Sequence, residues 1–328
     1  MVDAFHGSPL DPVRIVVPRG DPYYAPLLMA RAKSYGDPAT AWTFSRFDGL
    51  WASVGFCVLF LALRWAWNYA FNVLFRRRAS KSEMIMFDKV EEEAYTTLGG
   101  AVMLMCGWRA LQLLHDCSIF HTNGCVRSWP LIPMHLYVVR YYNAELGWYL
   151  HLMLKHSMGL GLQDARSMDL HHISTVGLIV LSYYLQFHTL GLMIFTLLNL
   201  SSPMLHASKL ANTLDWPRAK VSLFAAFAGV FAVTRVAVFP YVVVRAAMLN
   251  AYRDIPRITV VPFFFWTWVT FLVLLMLLAA MQAWWFLAIV KILRQAALGS
   301  EKGLQAEVLK RDFSRDVRQV AARTGAGA

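Results

Sequence analysis

The chain has 328 residues, 58% of them hydrophobic and only 16% charged. A soluble domain carries roughly a quarter charged residues, so the composition excludes an ordinary soluble globular protein. The net charge of +11 does not point to nucleic acid, because the basic residues gather at the borders of apolar runs, where anionic headgroups and positive-inside topology account for them.

Residues 1–47 hold Pro, Gly and charges but no apolar core, so they read as a lumenal N-terminal segment rather than a cleavable signal. Apolar stretches of about 18 residues or more can span a bilayer as helices, and lipid cannot satisfy open strand edges. Runs at 51–75, 96–114, 136–154, 170–187, 190–210, 221–249 and 260–290 predict an all-α polytopic membrane protein with about seven transmembrane helices. Arg76, Arg77, Arg78 and Lys81 follow the first run, Lys155 and Arg166 flank the turn between the third and fourth, Arg218 and Lys220 follow the fifth, and Lys291 and Arg294 end the seventh. With seven spans these share one side, predicted to be cytosolic. Arg127, Arg253 and Arg257 fall on the other.

Cys57 and Cys106 lie inside predicted spans as free thiols. Cys117 and Cys125 share a loop on the predicted lumenal side, where a disulfide and two free thiols are both compatible with the sequence. Their spacing does not suggest zinc. One membrane domain covers 48–294, and 295–328 form a cytosolic basic tail. No repeat divides the chain.

Ionisable residues inside a membrane are costly and default to function. Between Trp129 and Lys291 the acids are Glu145, Asp164, Asp169, Asp215 and Asp254. His171 and His172 stand in the first turn of the fourth predicted span, and adjacent helical residues point ~100° apart. Asp169, three residues before His172, is placed to orient that imidazole. The pair reads as a metal site, as structural histidines, or as proton- or acyl-transfer groups. His188, about 24 Å further along a straight helix, is too far to share a metal, so no metal is expected. Asn199, Ser202 and His206 form a polar stripe ending at Lys209, with a kink expected at Pro203. Small polar residues in such a stripe also glue membrane helices together.

The stretch HHISTVGLIVLSYYLQFHTLGLMIFTLLNLSSPMLHASKLAN, residues 171–212, resembles the TLC-domain core of ceramide synthases. Asp164, His171-His172 and Thr175, then Ser182-Tyr183 and Gly191, then Ser201 and Lys209 with the following Leu-Ala-Asn, appear in the family's order. Upstream, Tyr141-Tyr142 and Glu145-Leu146 resemble its Tyr-Tyr…Glu-Leu segment; downstream, Thr234-Arg235 and Phe239-Pro240 resemble its Thr-Arg…Tyr-Pro segment. The resemblance covers about 87–293.

It implies a helical bundle enclosing a lipid cavity, in an enzyme of the endoplasmic reticulum with a cytosolic C-terminus. Such an enzyme joins a fatty acyl-CoA to the amine of a sphingoid base, releasing ceramide or dihydroceramide and CoA. It has no cofactor beyond acyl-CoA as co-substrate. Membrane lipids and a second subunit, as homo- or hetero-dimer, are its further expected partners. His171, His172, Asp169, Asn199 and Ser202 are the expected catalytic residues; Tyr183, Glu145, Arg166, Lys209 and Arg235 are expected to bind substrate. Lys155, Arg166, Arg218 and Lys220 are placed to meet CoA phosphates, a pattern that positive-inside topology produces equally well. The family carries a His-Asp pair and a second Asp three residues later; here those positions are Leu198, Asn199 and Ser202, and the next acidic position is His206. Asp169 is expected to supply the compensating carboxylate. The alternative is a non-catalytic TLC protein that binds or senses lipid. A receptor or transporter is disfavoured, since neither a mid-membrane charge pathway nor an inverted repeat is visible.

Overall fold

The computed structural model describes residues 2–3, 16–17, 42–43, 50–75, 81–114, 117–126, 134–155, 157–160, 166–185, 187–250 and 264–297. Most of 1–47, the tail beyond 297, Arg76, Arg77, Arg78, Arg127, Asp164, Arg253, Asp254 and Arg257 lie outside these residues, and Arg166 is described by its backbone alone.

The described bundle is helical: α1 (Ala52–Phe75), α2 (Lys81–Leu111), α3 (Leu136–Leu154), α4 (Arg166–Tyr184), α5 (His188–Asn199), α6 (Ser202–Thr213), α7 (Pro217–Asn250) and α8 (Phe264–Ala297). Two-residue strands pair Val2–Asp3 with Val16–Val17, and Trp42–Thr43 with Met134–His135 at the start of α3. Among the described residues, four segments are long and apolar enough to cross a membrane: Ala52–Phe75, His188–Thr213, Pro217–Asn250 and Trp268–Arg294. The chain is therefore a multi-pass membrane protein. The apolar runs predicted within α2, α3 and α4 also form helices, but Glu91, Glu92 and Glu93 on α2, Arg140 and Glu145 on α3, and Asp169 with the histidines on α4 make these more polar.

Two of the long rods are interrupted where the sequence requires it. The rod from His188 to Thr213 breaks at Leu200–Ser201, and Pro203 falls in the first turn of α6, where its missing N–H costs nothing. In α7, Pro240 cannot donate to the turn before it. The helix widens to π geometry over Ala232–Val238 and again over Val243–Asn250, with the Phe239 N–H reaching back to the Thr234 carbonyl.

Helices α2, α3, α4, α8, α7 and α6 pack in a closed series, each against the next. Inside it runs α5, with ten of its 12 residues buried. α1 lies outside this series, against α3 and α2, and exposes Leu63, Trp65 and Tyr69 as a lipid-facing helix does. At one end, a Cys117–Cys125 disulfide closes the short loop after α2. That loop is tied to α5 by Thr189 Oγ1 donating to the Cys125 carbonyl at 2.7 Å, and to the end of α7 by Asn250 Nδ2 donating to Thr122 Oγ1 at 3.1 Å.

Candidate functional site around the paired histidines

His171 and His172 begin the packed part of α4, and both are buried. Their ring centroids are 5.7 Å apart. Adjacent positions on a helix diverge, yet one aromatic residue meets both: Tyr149 of α3 stands edge-on to His171 at 6.4 Å and to His172 at 5.7 Å. Trp285 of α8 closes the far side of His171 at 5.4 Å. His171 Nδ1 is buried and has no hydrogen-bond partner among the described residues. Tyr149 and Trp285 escaped sequence reasoning, because an aromatic in an apolar run carries no mark of what it faces.

Asp169 is exposed on α4 and makes no bond to His172 among the described residues. The expected contact fails because the face holding the histidines turns inward while the first turn of α4 still stands outside the bundle. The carboxylate inside the bundle near this region is Glu145, on α3. It is fully buried and accepts a hydrogen bond from Asn199 Nδ2 at 2.7 Å. Tyr141, Glu145 and Tyr149 recur at four-residue intervals and so share one face of α3.

The joint between α5 and α6 is held from α7. Arg235, in the widened turn, donates through Nε to Ser201 Oγ at 2.7 Å, through Nη1 to Gln282 Oε1 at 3.0 Å, and through Nη2 to Ser202 Oγ at 2.9 Å and the Leu198 carbonyl. Its guanidinium also lies over the Phe231 ring at 5.2 Å. Ser202 is thus an acceptor in an arginine clamp. His206 and Lys209, further along α6, meet Glu93 of α2 at 2.6 and 3.6 Å. Glu93 precedes the apolar run of α2. Burial works to raise its carboxyl, but Lys209, then His206 and Lys155, outweigh this and hold it at about 2.

Tyr183 is buried with its ring 5.7 Å from Tyr142. Tyr142 donates to the His188 carbonyl at 2.8 Å and shares a 3.3 Å hydrogen bond with Ser182. The Tyr142 hydroxyl sits directly over Gly191: a Cβ there would collide with it and come within 2.8 Å of Ser182 Oγ. Tyr142, Ser182 and Gly191, separate in sequence, therefore form one packing contact. A narrow apolar cavity of ≈ 20 Å³ between α4, α5 and α8 is lined by Thr175, Leu178, Leu275 and Leu278 among others. Thr175 is one turn from His171.

Lys155 does not reach a surface. It is buried and paired with Glu92, which with Glu91 also receives Arg64 Nη2 at 2.7 and 2.8 Å. Arg64 Nε donates to the Leu160 carbonyl at 2.8 Å, and the guanidinium stacks on Tyr95 at 4.6 Å. This cluster fastens α1 to α2 and to the end of α3, and it removes Lys155 from any phosphate site. Arg218 is exposed and Lys220 half-buried at the start of α7. Among the described residues no group of three or more His, Cys, Asp or Glu is placed to hold a metal.

A series of helices closed around a buried central helix, with paired histidines at one end, defines a polytopic membrane protein of the helical-bundle class. The family model of the TLC domain matches residues 89–291, and the chain belongs to the TLC-domain family. Among curated proteins it is similar to ceramide synthase 5 of Homo sapiens, 31% identical over 131 residues (40% of this chain and 33% of that protein). It is also similar to ceramide synthase 4 of Bos taurus, 26% identical over 242 residues (73% and 59%), and to ceramide synthase hyl-2 of Caenorhabditis elegans, 23% identical over 180 residues (53% of each). The chain spans about a third to three fifths of the length of these relatives.

Proposed function

We propose that the chain is a ceramide synthase, transferring the acyl group of a fatty acyl-CoA to the amine of sphinganine or sphingosine. The observation that carries this reading is the buried histidine pair beside Tyr149, with one imidazole nitrogen of His171 unpartnered. The names of the relatives add to it.

Amide formation needs a neutral amine, and an aliphatic ammonium is mostly protonated near pH 7. A histidine, whose ordinary pKa lies near ambient pH, is suited to take its proton. That first proton passes on to solvent; the neutral amine nitrogen then bonds to the thioester carbonyl carbon and gives its next proton to the imidazole. The C–S bond breaks as the tetrahedral intermediate collapses, and the departing thiolate takes the proton back from the imidazolium, giving amide and free CoA. The acyl group first resting on the imidazole is the covalent version of the same chemistry. Asn199, Ser202, Tyr183 or the second histidine donates to the developing oxyanion. No cofactor takes part beyond acyl-CoA as co-substrate.

The seven helical rods are read as seven spans in the membrane of the endoplasmic reticulum. The disulfide loop is lumenal, the C-terminus is cytosolic, and the histidines lie near the cytosolic border where the CoA head remains. Both lipid tails enter a cavity that widens from the crevice beside Thr175 as the helices part. A homo- or hetero-dimer is the expected assembly.

One observation favours a non-catalytic, lipid-binding TLC protein: the Asn199 amide and Ser202 hydroxyl are already engaged by Glu145 and Arg235. The deciding experiment expresses the chain in cells without ceramide synthase and supplies microsomes with labelled sphinganine and a panel of acyl-CoAs. Ceramide formation that disappears in His171→Ala/His172→Ala is the expected result. A folded, membrane-inserted chain giving no product with any acyl-CoA decides for lipid binding without turnover.

A further inference from the structure

Helices α4 and α8 run antiparallel, with His171 against Trp285 and Gly177 against Leu274. The apolar crevice between them therefore has Ser182 and Phe271 towards one end, and Thr175 and Leu278 towards the other, beside the histidines. Gln282 stands one turn beyond Leu278 and one turn before Trp285, so its side chain lies on the face of α8 that carries both. It is 0% exposed. Its Oε1 accepts from Arg235 Nη1 at 3.0 Å. A guanidinium only donates, and this fixes the amide: Oε1 faces Arg235 and Nε2 faces away from it. Arg235 is itself held by Ser201, Ser202 and the Leu198 carbonyl. Gln282 Nε2 has no acceptor among the described residues, and His171 Nδ1 and Thr175 Oγ1 have no partner there either. Leaving a buried N–H without an acceptor is costly. This one is completed by an acceptor from outside the protein, at the histidine end of an apolar crevice. A carbonyl at the head of an apolar chain is such an acceptor.

We propose that Gln282 is a catalytic residue of acyl transfer: aligned by Arg235, its Nε2 donates to the acyl carbonyl oxygen of the fatty acyl-CoA. This deepens the acyltransferase reading and rests on it. When the neutral amine nitrogen bonds to the carbonyl carbon, the C=O electron pair moves onto oxygen, and the amine's proton passes to the imidazole. The hydrogen bond from Nε2 strengthens as that negative charge develops. It weakens when the C=O re-forms, the C–S bond breaks and the departing thiolate takes the proton. Asn199 and Ser202, the donors suggested by the sequence, are already engaged by Glu145 and Arg235; the Gln282 N–H is not. Because a hydrogen bond to the oxyanion is stronger than one to the ground-state carbonyl, its loss falls mainly on turnover.

The test uses the full chain, purified in lipid nanodiscs, with labelled sphinganine and palmitoyl-CoA. Gln282→Glu keeps the shape of the side chain and the oxygen that Arg235 binds, but removes the N–H. It is expected to lower kcat at least about 100-fold, with KM for both substrates unchanged. Palmitoyl-CoA isotope-labelled at its carbonyl carbon, bound without sphinganine, gives a second readout that a purely structural glutamine would not move. Its infrared carbonyl band is expected at lower frequency in the wild type than in Gln282→Met, which also lacks the N–H. The wild-type band can be compared with the same thioester in an apolar solvent, so the proposal stays readable if neither variant folds. Full kcat in a folded Gln282→Glu overturns the proposal. So does a wild-type band at the apolar-solvent frequency, or one shifted equally in Gln282→Met. These outcomes leave the acyltransferase reading standing. A wild type that makes no ceramide instead removes that reading and this assignment with it.

Discussion

The bundle buries polar groups in two places, and they are treated differently. Where α1 meets α2 and α3, Arg64 and Lys155 face Glu91 and Glu92, and each charge has its opposite within bonding distance. Around the joint of α5 and α6, Glu145 and Arg235 each bind neutral groups, and His171 keeps an unpartnered nitrogen. The first arrangement is closed: its groups cancel one another, and its effect is to fasten helices. In the second, Glu145 has no cation within ion-pair distance among the described residues, and its bond comes from a neutral amide. What separates the two regions is therefore charge balance rather than buried polarity itself.

The comparison is broken most directly at Arg64. Arg64→Ala takes the arginine from Glu91 and leaves Glu92 with Lys155, and should cost about 3–5 kcal/mol of stability, read as a large drop in melting temperature in detergent or nanodiscs. An Arg64→Ala chain that melts like the wild type would show that the cluster is not closed. A smaller loss is expected at Gly191, on the packing side of the second region. Gly191→Ala drives a methyl into the Tyr142 hydroxyl and should destabilise by about 1–3 kcal/mol. Adding Tyr142→Phe removes the colliding oxygen and should recover part of that loss; no recovery would place the strain elsewhere. The smallest effect is expected at Asp169, which belongs to neither region. Exposed on α4, Asp169→Asn should leave stability within about 0.5 kcal/mol and ceramide formation within about twofold. A large loss of turnover would return Asp169 to the histidines.

Much of the architecture was legible in the chain order of apolar runs. The run at 136–154 coincides with α3 (Leu136–Leu154), the break expected at Pro203 lies at Leu200–Ser201, and the run at 221–249 lies within α7. The double histidine was legible as a candidate because two imidazoles in the first turn of an apolar helix are rare and expensive. Its partners were not. Asp169 was chosen for the paired acid because sequence neighbours are all that a one-dimensional pattern offers. Glu145, 54 residues before Asn199, could not be matched with it until α3 and α5 were set side by side. Lys155 followed the border-lysine pattern, and only the approach of α2 and α1 turned it inward to Glu92.

Hydrophobicity and proline position are local properties, and they determined by themselves that this chain is a multi-pass helical protein with a broken central rod and histidines at a helix start. Pairing is not local. Whether Arg235 binds a substrate or clamps a helix joint, whether Cys117 and Cys125 are joined, and which carboxylate lies inside the bundle with the histidines were decided by which helix faces which. Each of those contacts spans residues whose separation in sequence carries no energy until the bundle closes.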